Sequence, residues 1–575
     1  MGLTKRISSR GKKMVLNPTV MRWISDDRVM KAAEGVMGAR TRVRAAWKIL
    51  VDGHELPNVD PALDDFIGDD APPTNGSAKN GHTNGFGANG HGTNGHTNGH
   101  GTNGHGTNGH ANGHNGHNGT NGHGTNGSNG YAAKNGHSNG NGNGNGHATF
   151  TGGMAAADTV TLDQALKERT SLAGIGGKDV FEKCYQFMAA DNARAMGMYP
   201  FFRPLDFNDG PEAVIDGRRV VMFGSNNYLG LTTHPKVREA AKAAIDRFGT
   251  SMTGSRLVNG SMKLHNEFEE KLAAFFGKES ALVFTTGYQA NLATCAALLS
   301  NKRTVAVIDR NVHASLYDGV RLGQAAGTRL VRYKHSDAES LDAALSRVDA
   351  GEGALVITDG VFSAEGEIAR LDEIVPVVKK HGARLFVDDA HALGVIGPGG
   401  RGTAYQFGLE DQVDLISGTF SKSMASIGGW LVGERKVLDY IRHFAPSFMF
   451  AASAAPPNVA AAMAAFDVMK EESWRIDKLR ENFTYMRTEL AGMGFELGRT
   501  ETAVIPIYIR QDLRTLLMWK ELLEEQGVYV NPFISPGVPP KQAMLRTSYM
   551  ATHERTHLDR GLEAFYKAGK KFGVI

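Results

Sequence analysis

The residue with the clearest chemical potential is Lys422, which lies in the polar segment 418–429 after a short apolar run, 413–416. Upstream, another apolar run ends in Asp388 and His391. Such runs are typical of buried strands, and open α/β sheets bind ligands at the carboxyl ends of their strands. A lysine that can form a Schiff base, beside a carboxylate that can keep a pyridine nitrogen protonated, indicates a pyridoxal-phosphate site. Taken alone, Lys422 fits a polar loop equally well, so the prediction depends on its neighbours.

Three further polar groups follow predicted strands and would reach the same edge of the sheet. Thr286 begins a helix, and the free backbone N–H groups at a helix N-terminus suit a phosphate. His313 follows the next predicted strand, where an imidazole can stack on a planar cofactor, and Ser363 follows a third with a hydroxyl that can bind it. Each has an ordinary alternative, such as a capped helix end or a structural histidine. Their convergence on one edge favours a cofactor site.

These segments belong to an alternation of strands and helices that begins near residue 220. Each predicted strand is short, apolar on both faces and separated from the next by helix-length sequence, which is typical of a largely parallel sheet covered by helices. After a strand that begins at Val220, the predicted strands are 281–284, 304–308, 328–333, 354–357, 385–387 and 413–416. A helix predicted over 457–493 leads to a smaller C-terminal α/β part with strands near 504–508 and 544–546, and another helix is predicted over 163–193.

The first 150 residues differ from the rest in composition. Residues 20–51 carry apolar residues at helical spacing with lysines and arginines between them, so residues 1–71 are predicted to form a helical extension. A basic amphipathic stretch within residues 1–60 fits peripheral contact with an anionic membrane, or docking on the main domain. Residues 72–150 are rich in Asn, Gly and His and nearly devoid of apolar side chains, which predicts a disordered linker. Its histidines are irregularly spaced, so we expect low-complexity expansion rather than a metal site.

Overall composition narrows the class of protein. The 575 residues include 63 Lys and Arg against 60 Asp and Glu, a formal net charge of +3 that gives no electrostatic case for nucleic acid. Cys184 and Cys295 are too few for a disulfide framework, which fits a reducing compartment. No run of eighteen apolar residues and no secretory signal occur, so we expect a cytoplasmic protein, with peripheral contact at the inner membrane face as the alternative.

From about residue 197 to the C-terminus the chain resembles the α-oxoamine synthases, pyridoxal-phosphate enzymes that condense an amino acid with an acyl thioester and release carbon dioxide. The resemblance extends over about two-thirds of the chain. The matching motifs are Ser225-Asn-Asn-Tyr-Leu-Gly230, Gly254-Ser-Arg256 with Asn259-Gly260, Thr286-Gly-Tyr-Gln-Ala-Asn291, His313-Ala-Ser315, Asp388-Asp-Ala-His391, Thr419-Phe-Ser-Lys422 and Leu545-Arg-Thr-Ser548.

The resemblance implies a role for each matching residue. Lys422 would be the Schiff-base lysine, Asp388 would pair with the pyridine nitrogen, and His313 would stack on the ring. Together with His391 these are the expected catalytic residues. The other implied contacts are Ser363 and His391 for the ring substituents, Thr286, Gly287, Tyr288 and Thr419 for the cofactor and its phosphate, Arg546 for the substrate carboxylate, and Asn226 for the substrate site.

The resemblance also implies fold type I of the pyridoxal-phosphate transferases and a homodimer with active sites at the subunit interface. We expect an N-terminal arm (151–234), a large cofactor-binding domain (235–460) and a small C-terminal domain (461–575). The most similar branch joins L-serine to a long-chain acyl group, carried on CoA or acyl carrier protein, to give 3-ketosphinganine. A sister synthase that uses glycine or alanine with another acyl thioester is the alternative. The 150-residue extension departs from the family pattern.

Overall fold

The structure is a computed structural model that describes residues 179–575 except Pro536 and Pro540. The predicted helical extension (1–71), the predicted linker (72–150) and most of the helix predicted over 163–193 lie outside the described residues. The segment 1–60, for which membrane contact is predicted, also lies outside them. Of the helices that are described, none is both long and apolar enough to cross a membrane.

The strands are short, as the apolar runs predict. In chain order they are β1 (Phe207–Asn208), β2 (Glu212–Ile215), β3 (Arg218–Met222), β4 (Ser280–Phe284), β5 (Thr304–Asp309), β6 (Arg329–Tyr333), β7 (Gly353–Asp359), β8 (Arg384–Asp388), β9 (Leu415–Thr419), β10 (Gly429–Gly433), β11 (Val504–Tyr508), β12 (Val528–Tyr529), β13 (Asn531–Phe533) and β14 (Met544–Ser548). The six runs predicted between residues 281 and 416 each coincide with one of these strands, within a few residues.

The helices occupy most of the sequence between the strands. They are α1 (Glu182–Tyr185), α2 (Ala189–Ala195), α3 (Pro235–Phe248), α4 (Lys263–Phe275), α5 (Gly287–Leu298), α6 (Ala314–Ala325), α7 (Ala338–Leu345), α8 (Leu371–Lys380), α9 (Thr403–Gln406), α10 (Arg435–Phe444), α11 (Pro446–Met449), α12 (Pro456–Glu471), α13 (Trp474–Gly492), α14 (Asp512–Glu524) and α15 (Arg555–Lys571). Proline is the first residue of α3, α11 and α12. A backbone N–H at this position of a helix has no intrahelical acceptor, so proline, which lacks the N–H, costs no hydrogen bond there.

A seven-stranded sheet forms the centre of the larger core, in the order β4-β10-β9-β8-β7-β5-β6. The neighbours from β9 to β6 are parallel, whereas β10 is antiparallel to both β9 and β4. Side chains on both faces of β5, β8 and β10 are buried, because helices cover the sheet on each side. The predicted α/β fold with a mainly parallel sheet is therefore confirmed, and it brings the carboxyl ends of β5, β7, β8 and β9 to one edge.

A second core joins the two ends of the described chain. Strands β1, β2, β3 and β12 form one sheet, in which β12 lies parallel to β3, and β11, β14 and β13 form another. Buried side chains from 198–228 and from 479–572 pack together in this core. The predicted strands near 504–508 and 544–546 correspond to β11 and β14. The boundaries predicted at residues 234 and 460 stay predictions.

Two predicted helices are interrupted. The helix predicted over 457–493 is two helices, α12 and α13, because the Arg475 guanidinium is buried and binds Glu472 Oε2 (Nε, 2.7 Å) and the Leu229 carbonyl (3.1 Å) at the junction. Glu472 leaves the helical conformation there, with φ −110° and ψ 54°. In the described part of 163–193, the segment between α1 and α2 likewise breaks the predicted continuous helix.

Candidate active site

A cavity of about 260 Å³ opens at the carboxyl edge of the central sheet. It is bounded by the ends of β7, β8 and β9 and by the first turns of α5 and α6. All nine residues for which the sequence predicts a cofactor contact line it: Thr286, Gly287, Tyr288, His313, Ser363, Asp388, His391, Thr419 and Lys422. The two residues predicted for the substrate, Asn226 and Arg546, are not among its lining residues.

Lys422 projects from the loop that connects β9 to β10. This loop is closed by hydrogen bonds from Phe420 N to the Gly428 carbonyl (2.9 Å) and from Ala425 N to the Lys422 carbonyl (3.0 Å). Burial disfavours the charged ammonium and lowers the pKa of Lys422 to about 8, although the nearby Asp388 carboxylate opposes the shift. A substantial fraction of the amine is therefore neutral just above neutral pH, the form that attacks a carbonyl or accepts a proton.

Asp388 ends β8 and is held by two hydrogen bonds. Asn291 Nδ2 donates to Asp388 Oδ2 (2.6 Å), and the Ala390 backbone N–H donates to Oδ1 (3.0 Å). Asn291 is fixed in turn by Ser417, whose Oγ donates to Asn291 Oδ1 (2.7 Å). Sequence reasoning did not select Asn291 for the site. The sequence feature that could have identified Asn291 is its position one helical turn after Gly287. This spacing places Asn291 on the side of α5 that faces the end of β8.

Asp359 is a second buried carboxylate that sequence reasoning missed. It ends β7 directly opposite Asp388 in the parallel register, and its Oδ1 accepts a hydrogen bond from the His313 backbone N–H (3.2 Å). Burial, and then the neighbouring Asp388 charge, raise the pKa of Asp359 well above its ordinary value. Its hydrogen bond positions the turn that carries His313. Its position at the carboxyl end of a predicted strand was the available signal.

Both histidines of the site are neutral at physiological pH. Burial lowers the pKa of His313, and its Nδ1 lies 2.8 Å from Ser315 Oγ. Burial, followed by the Lys422 charge, lowers the pKa of His391 well below its ordinary value. His391 Nδ1 lies 2.6 Å from the phenol oxygen of Tyr228, another residue that sequence reasoning missed. These bonds fix both imidazole rings at the cavity wall.

The N-terminus of α5 forms a seat for an anion. Thr286 caps the helix by accepting a hydrogen bond from Gln289 N (3.1 Å), while the first N–H groups of any α-helix lack intrahelical acceptors. Gly287 packs so closely that an added Cβ would lie 2.7 Å from Thr419 Cβ. A phosphate seat, a lysine amine and a carboxylate thus share one cavity, and these groups fit pyridoxal phosphate.

Arg546 and Asn226 form a cluster beside the cavity. The buried Arg546 guanidinium donates to the Ser363 carbonyl (2.6 Å), to Asn226 Oδ1 (3.0 Å) and to Ser548 Oγ (2.9 Å). Ser363 lines the cavity, and the Tyr228 hydroxyl links Asn226 to His391. Arg546 therefore contacts the predicted cofactor residue Ser363, and Asn226 is linked through Tyr228 to the predicted cofactor residue His391.

The fold and the site together define a pyridoxal-phosphate-dependent enzyme of fold type I. The profile of the aminotransferase class I and II family matches residues 218–565, more than half of the chain. A serine palmitoyltransferase of Sphingobacterium spiritivorum is 42% identical over 68% of this chain and 96% of its own length. An 8-amino-7-oxononanoate synthase of Thermoanaerobacter pseudethanolicus is 38% identical over 67% of this chain and 96% of its own.

A solved serine palmitoyltransferase, with PLP as its internal aldimine, matches with a TM-score of 0.67 at 35% identity. The match covers 69% of this chain and all of the solved one. The chain belongs to the α-oxoamine synthase family of pyridoxal-phosphate-dependent acyltransferases. The family and the cofactor inferred from the sequence motifs are thus confirmed.

Proposed function

We propose that the chain condenses L-serine with a long-chain acyl thioester such as palmitoyl-CoA. A carbon–carbon bond forms between the serine α-carbon and the acyl carbon, carbon dioxide and the free thiol leave, and 3-ketosphinganine results. This is the first step of sphingolipid synthesis. The observation that carries the proposal is the buried Arg546 guanidinium beside the cavity, because a cation there suits the carboxylate of an amino acid. The relatives named serine palmitoyltransferase support the choice of serine.

Residues of the cavity would hold the cofactor on three sides. Pyridoxal phosphate, when bound, supplies an electron sink that stabilises negative charge at the amino-acid α-carbon. Asp388, oriented by Asn291, would keep the ring nitrogen protonated, and His313 would cover one face of the ring. The N–H groups at the start of α5, with Thr286 and Thr419, would bind the phosphate.

Lys422 and Arg546 would act on the amino acid itself. With its pKa lowered to about 8 by burial, the Lys422 amine can accept the α-proton and later return it. Arg546 would bind the serine carboxylate, with Asn226 beside it, and so fix which bond of the α-carbon faces Lys422. Neutral His391, held by Tyr228, would offer a hydrogen bond without adding positive charge next to Lys422.

A sister synthase that uses glycine or alanine with another acyl thioester is the second candidate. This chain is 38% identical to an 8-amino-7-oxononanoate synthase and 42% identical to a serine palmitoyltransferase. Because these two values are close, the sister-synthase reaction is retained as the second candidate function. The same cavity and the same lysine would serve either reaction. The amino-acid substrate therefore distinguishes the two functions.

Absorption spectroscopy of the holoenzyme tests the proposal. Titration with serine should shift the cofactor band at lower concentrations than glycine or alanine, and palmitoyl-CoA should then yield 3-ketosphinganine, identified by mass spectrometry. Lys422→Ala should abolish turnover and change the spectrum of bound cofactor. A response selective for glycine or alanine would transfer the assignment to the sister synthase. An unaltered spectrum in Lys422→Ala would remove Lys422 from its role.

Two finer features are part of the proposal. We infer a homodimer from the family resemblance. Sedimentation analysis of the full chain measures the oligomeric state, and a monomer at active concentrations would be the contrary result.

We also infer a cytoplasmic enzyme with peripheral membrane contact through residues 1–60. Co-sedimentation with anionic vesicles should be lost when residues 1–150 are deleted, and retention of binding would contradict that placement.

A further inference from the structure

The groups around Nδ1 of His313 decide which ring nitrogen carries the proton. A neutral imidazole has one proton, on Nδ1 or on Nε2, and the nitrogen without it can only accept a hydrogen bond. His313 is neutral at physiological pH because burial lowers its pKa. The backbone N–H of Ser315 lies 3.3 Å from Nδ1, and a backbone N–H can only donate. Nδ1 therefore acts as the acceptor, which favours the proton on Nε2.

The Ser315 hydroxyl lies closer to the same nitrogen, at 2.8 Å. A hydroxyl can donate or accept, so this contact taken alone fits either tautomer. Its direction follows from the second partner of the hydroxyl. Asn291 Nδ2, an amide nitrogen that can only donate, lies 2.9 Å from Ser315 Oγ. Ser315 Oγ accepts that bond, and within residues 179–575 its own proton has Nδ1 of His313 as its acceptor.

Asp388 determines which way the amide of Asn291 is turned. The amide oxygen and nitrogen have similar shapes, so the hydrogen-bond partners decide between the two orientations. Asn291 Nδ2 lies 2.6 Å from Asp388 Oδ2, and the reverse orientation would place two acceptor oxygens at that distance. On the other side, the Ser417 hydroxyl donates to Asn291 Oδ1 (2.7 Å). Asp388 thus orients Asn291, and Asn291 in turn orients the Ser315 hydroxyl.

The chain of hydrogen bonds is enclosed, whereas the far side of the imidazole is open. Ser315 and Ser417 are completely buried and Asn291 is 3% exposed, so water does not compete for these bonds. His313, by contrast, lines the cofactor cavity, and within residues 179–575 its Nε2 has no hydrogen-bond partner. A proton on Nε2 is therefore available to a molecule bound in the cavity.

We propose that Ser315 is a positioning residue that holds His313 in the tautomer with its proton on Nε2, and that Asp388 sets this direction through Asn291. The consequence for the reaction rests on the proposed function. In this tautomer Nε2 can donate a hydrogen bond to an oxygen atom of a bound substrate but cannot take a proton from it. Removal of the α-proton then falls to Lys422. One chain of hydrogen bonds thus prepares both Asp388 and His313.

Nitrogen-15 NMR of the cofactor-free, full-length protein labelled at histidine measures the tautomer directly, because protonated and unprotonated ring nitrogens have well-separated chemical shifts. The chain has 21 histidines, so the signals of His313 are identified by their loss in His313→Phe. Wild-type protein should show an unprotonated Nδ1 and a protonated Nε2. Ser315→Ala should show both tautomers, because only the longer backbone bond (3.3 Å) remains. A proton on Nδ1 in the wild type, or an unchanged single tautomer in Ser315→Ala, would overturn the proposal.

Steady-state kinetics of the holoenzyme test the consequence for the reaction. Ser315→Ala should lower kcat/KM for condensation about two- to tenfold, the range for one neutral hydrogen bond, and Ser315→Thr, which keeps the hydroxyl, should restore it. Thr294→Val is the matched control, because Thr294 is also completely buried and its hydroxyl donates to the Ala290 carbonyl (2.7 Å).

The control should keep both the wild-type kcat/KM and the wild-type tautomer. An equal loss of kcat/KM in Ser315→Ala and Thr294→Val, or no loss in Ser315→Ala, would overturn the role given to Ser315. A wild-type enzyme that condenses none of serine, glycine and alanine would instead refute the proposed function. The NMR measurement needs neither cofactor nor substrate, so the tautomer would still be decided.

Discussion

Replacement of Asn291 by leucine gives a sharp test of how Asp388 is oriented. Asn291 donates to Asp388 Oδ2 (2.6 Å) and to Ser315 Oγ (2.9 Å), accepts from Ser417 Oγ (2.7 Å), and is 3% exposed. Leucine removes all three bonds, although Asp388 and Ser315 each keep one other partner, and a buried polar group left unpaired costs about 1–3 kcal/mol. We expect Asn291→Leu to lower the free energy of unfolding of the cofactor-free protein by about 2–5 kcal/mol. Urea unfolding measures this loss.

Cofactor affinity separates the orienting role from simple destabilisation. Loss of a donor to a carboxylate is worth at least about 1.4 kcal/mol, so pyridoxal phosphate should bind about tenfold more weakly to Asn291→Leu. Asn482→Leu is the matched control, because Asn482 is also 3% exposed and donates to two carbonyls (both 2.9 Å) in the second core. It should lose stability but keep cofactor affinity, as measured by absorbance titration. Wild-type affinity in Asn291→Leu, or equal losses in both variants, would refute the reasoning.

Other variants test the phosphate seat and two titrating groups. Gly287→Ala should weaken pyridoxal-phosphate binding about tenfold in the same titration, because its Cβ would lie 2.7 Å from a neighbouring carbon, whereas Gly353→Ala meets no atom within 4 Å and should not. Burial lowers the pKa of Lys422 from 10.5 to about 8. The unfolded chain therefore holds this proton more tightly than the folded protein does. As a result, the free energy of unfolding of the cofactor-free protein should rise as the pH rises from about 8 to 10.5. Lys422→Met should abolish this rise. At pH 7 its free energy of unfolding in urea should exceed that of the wild type by about 2 kcal/mol, a figure that allows for the partial exposure of the Lys422 side chain. Burial alone would lower the pKa of His335, but its ion pairs with Asp309 and Glu367 raise it to about 9. The stability that His335 contributes is complete below pH 6.5 and lost as pH rises through 9, and His335→Gln should remove that loss in thermal unfolding; a loss that persists unchanged would contradict it.

The central sheet and several residues of the cavity were predictable because each leaves a local pattern, whereas Gly287, Tyr288 and Thr419 were implied only by the family resemblance. A buried parallel strand is a short apolar run, and the residue after it lies at the ligand edge, so Asp388, His313 and Ser363 could be selected without coordinates. The strand β10 was not predicted. It begins at Gly429, directly after Gly428, and two consecutive glycines are a weak strand signal. An added Cβ at Gly429 would lie 2.4 Å from the Thr286 carbonyl oxygen, so the glycine is required by packing.

The residues that the sequence did not reveal act through tertiary contacts. Asn291, Asp359 and Tyr228 touch the site only because distant segments meet there, and neither their spacing nor their composition shows which group they bind. The break between α12 and α13 has the same origin. No proline or glycine marks it, and it depends on the buried Arg475 reaching the Leu229 carbonyl, a contact across 246 positions of the chain.

The order in which the two cores can form during synthesis follows from where their residues lie along the chain. Every residue that lines the cofactor cavity lies between Thr286 and Gly428, and the larger core is complete by Ile476. The second core needs β12 to reach β3 and Arg546 to reach Asn226, a separation of 320 residues. Contacts of such long range form late in folding. A nascent chain can therefore assemble its cofactor cavity during translation, while the Arg546 cluster forms only when synthesis is nearly finished.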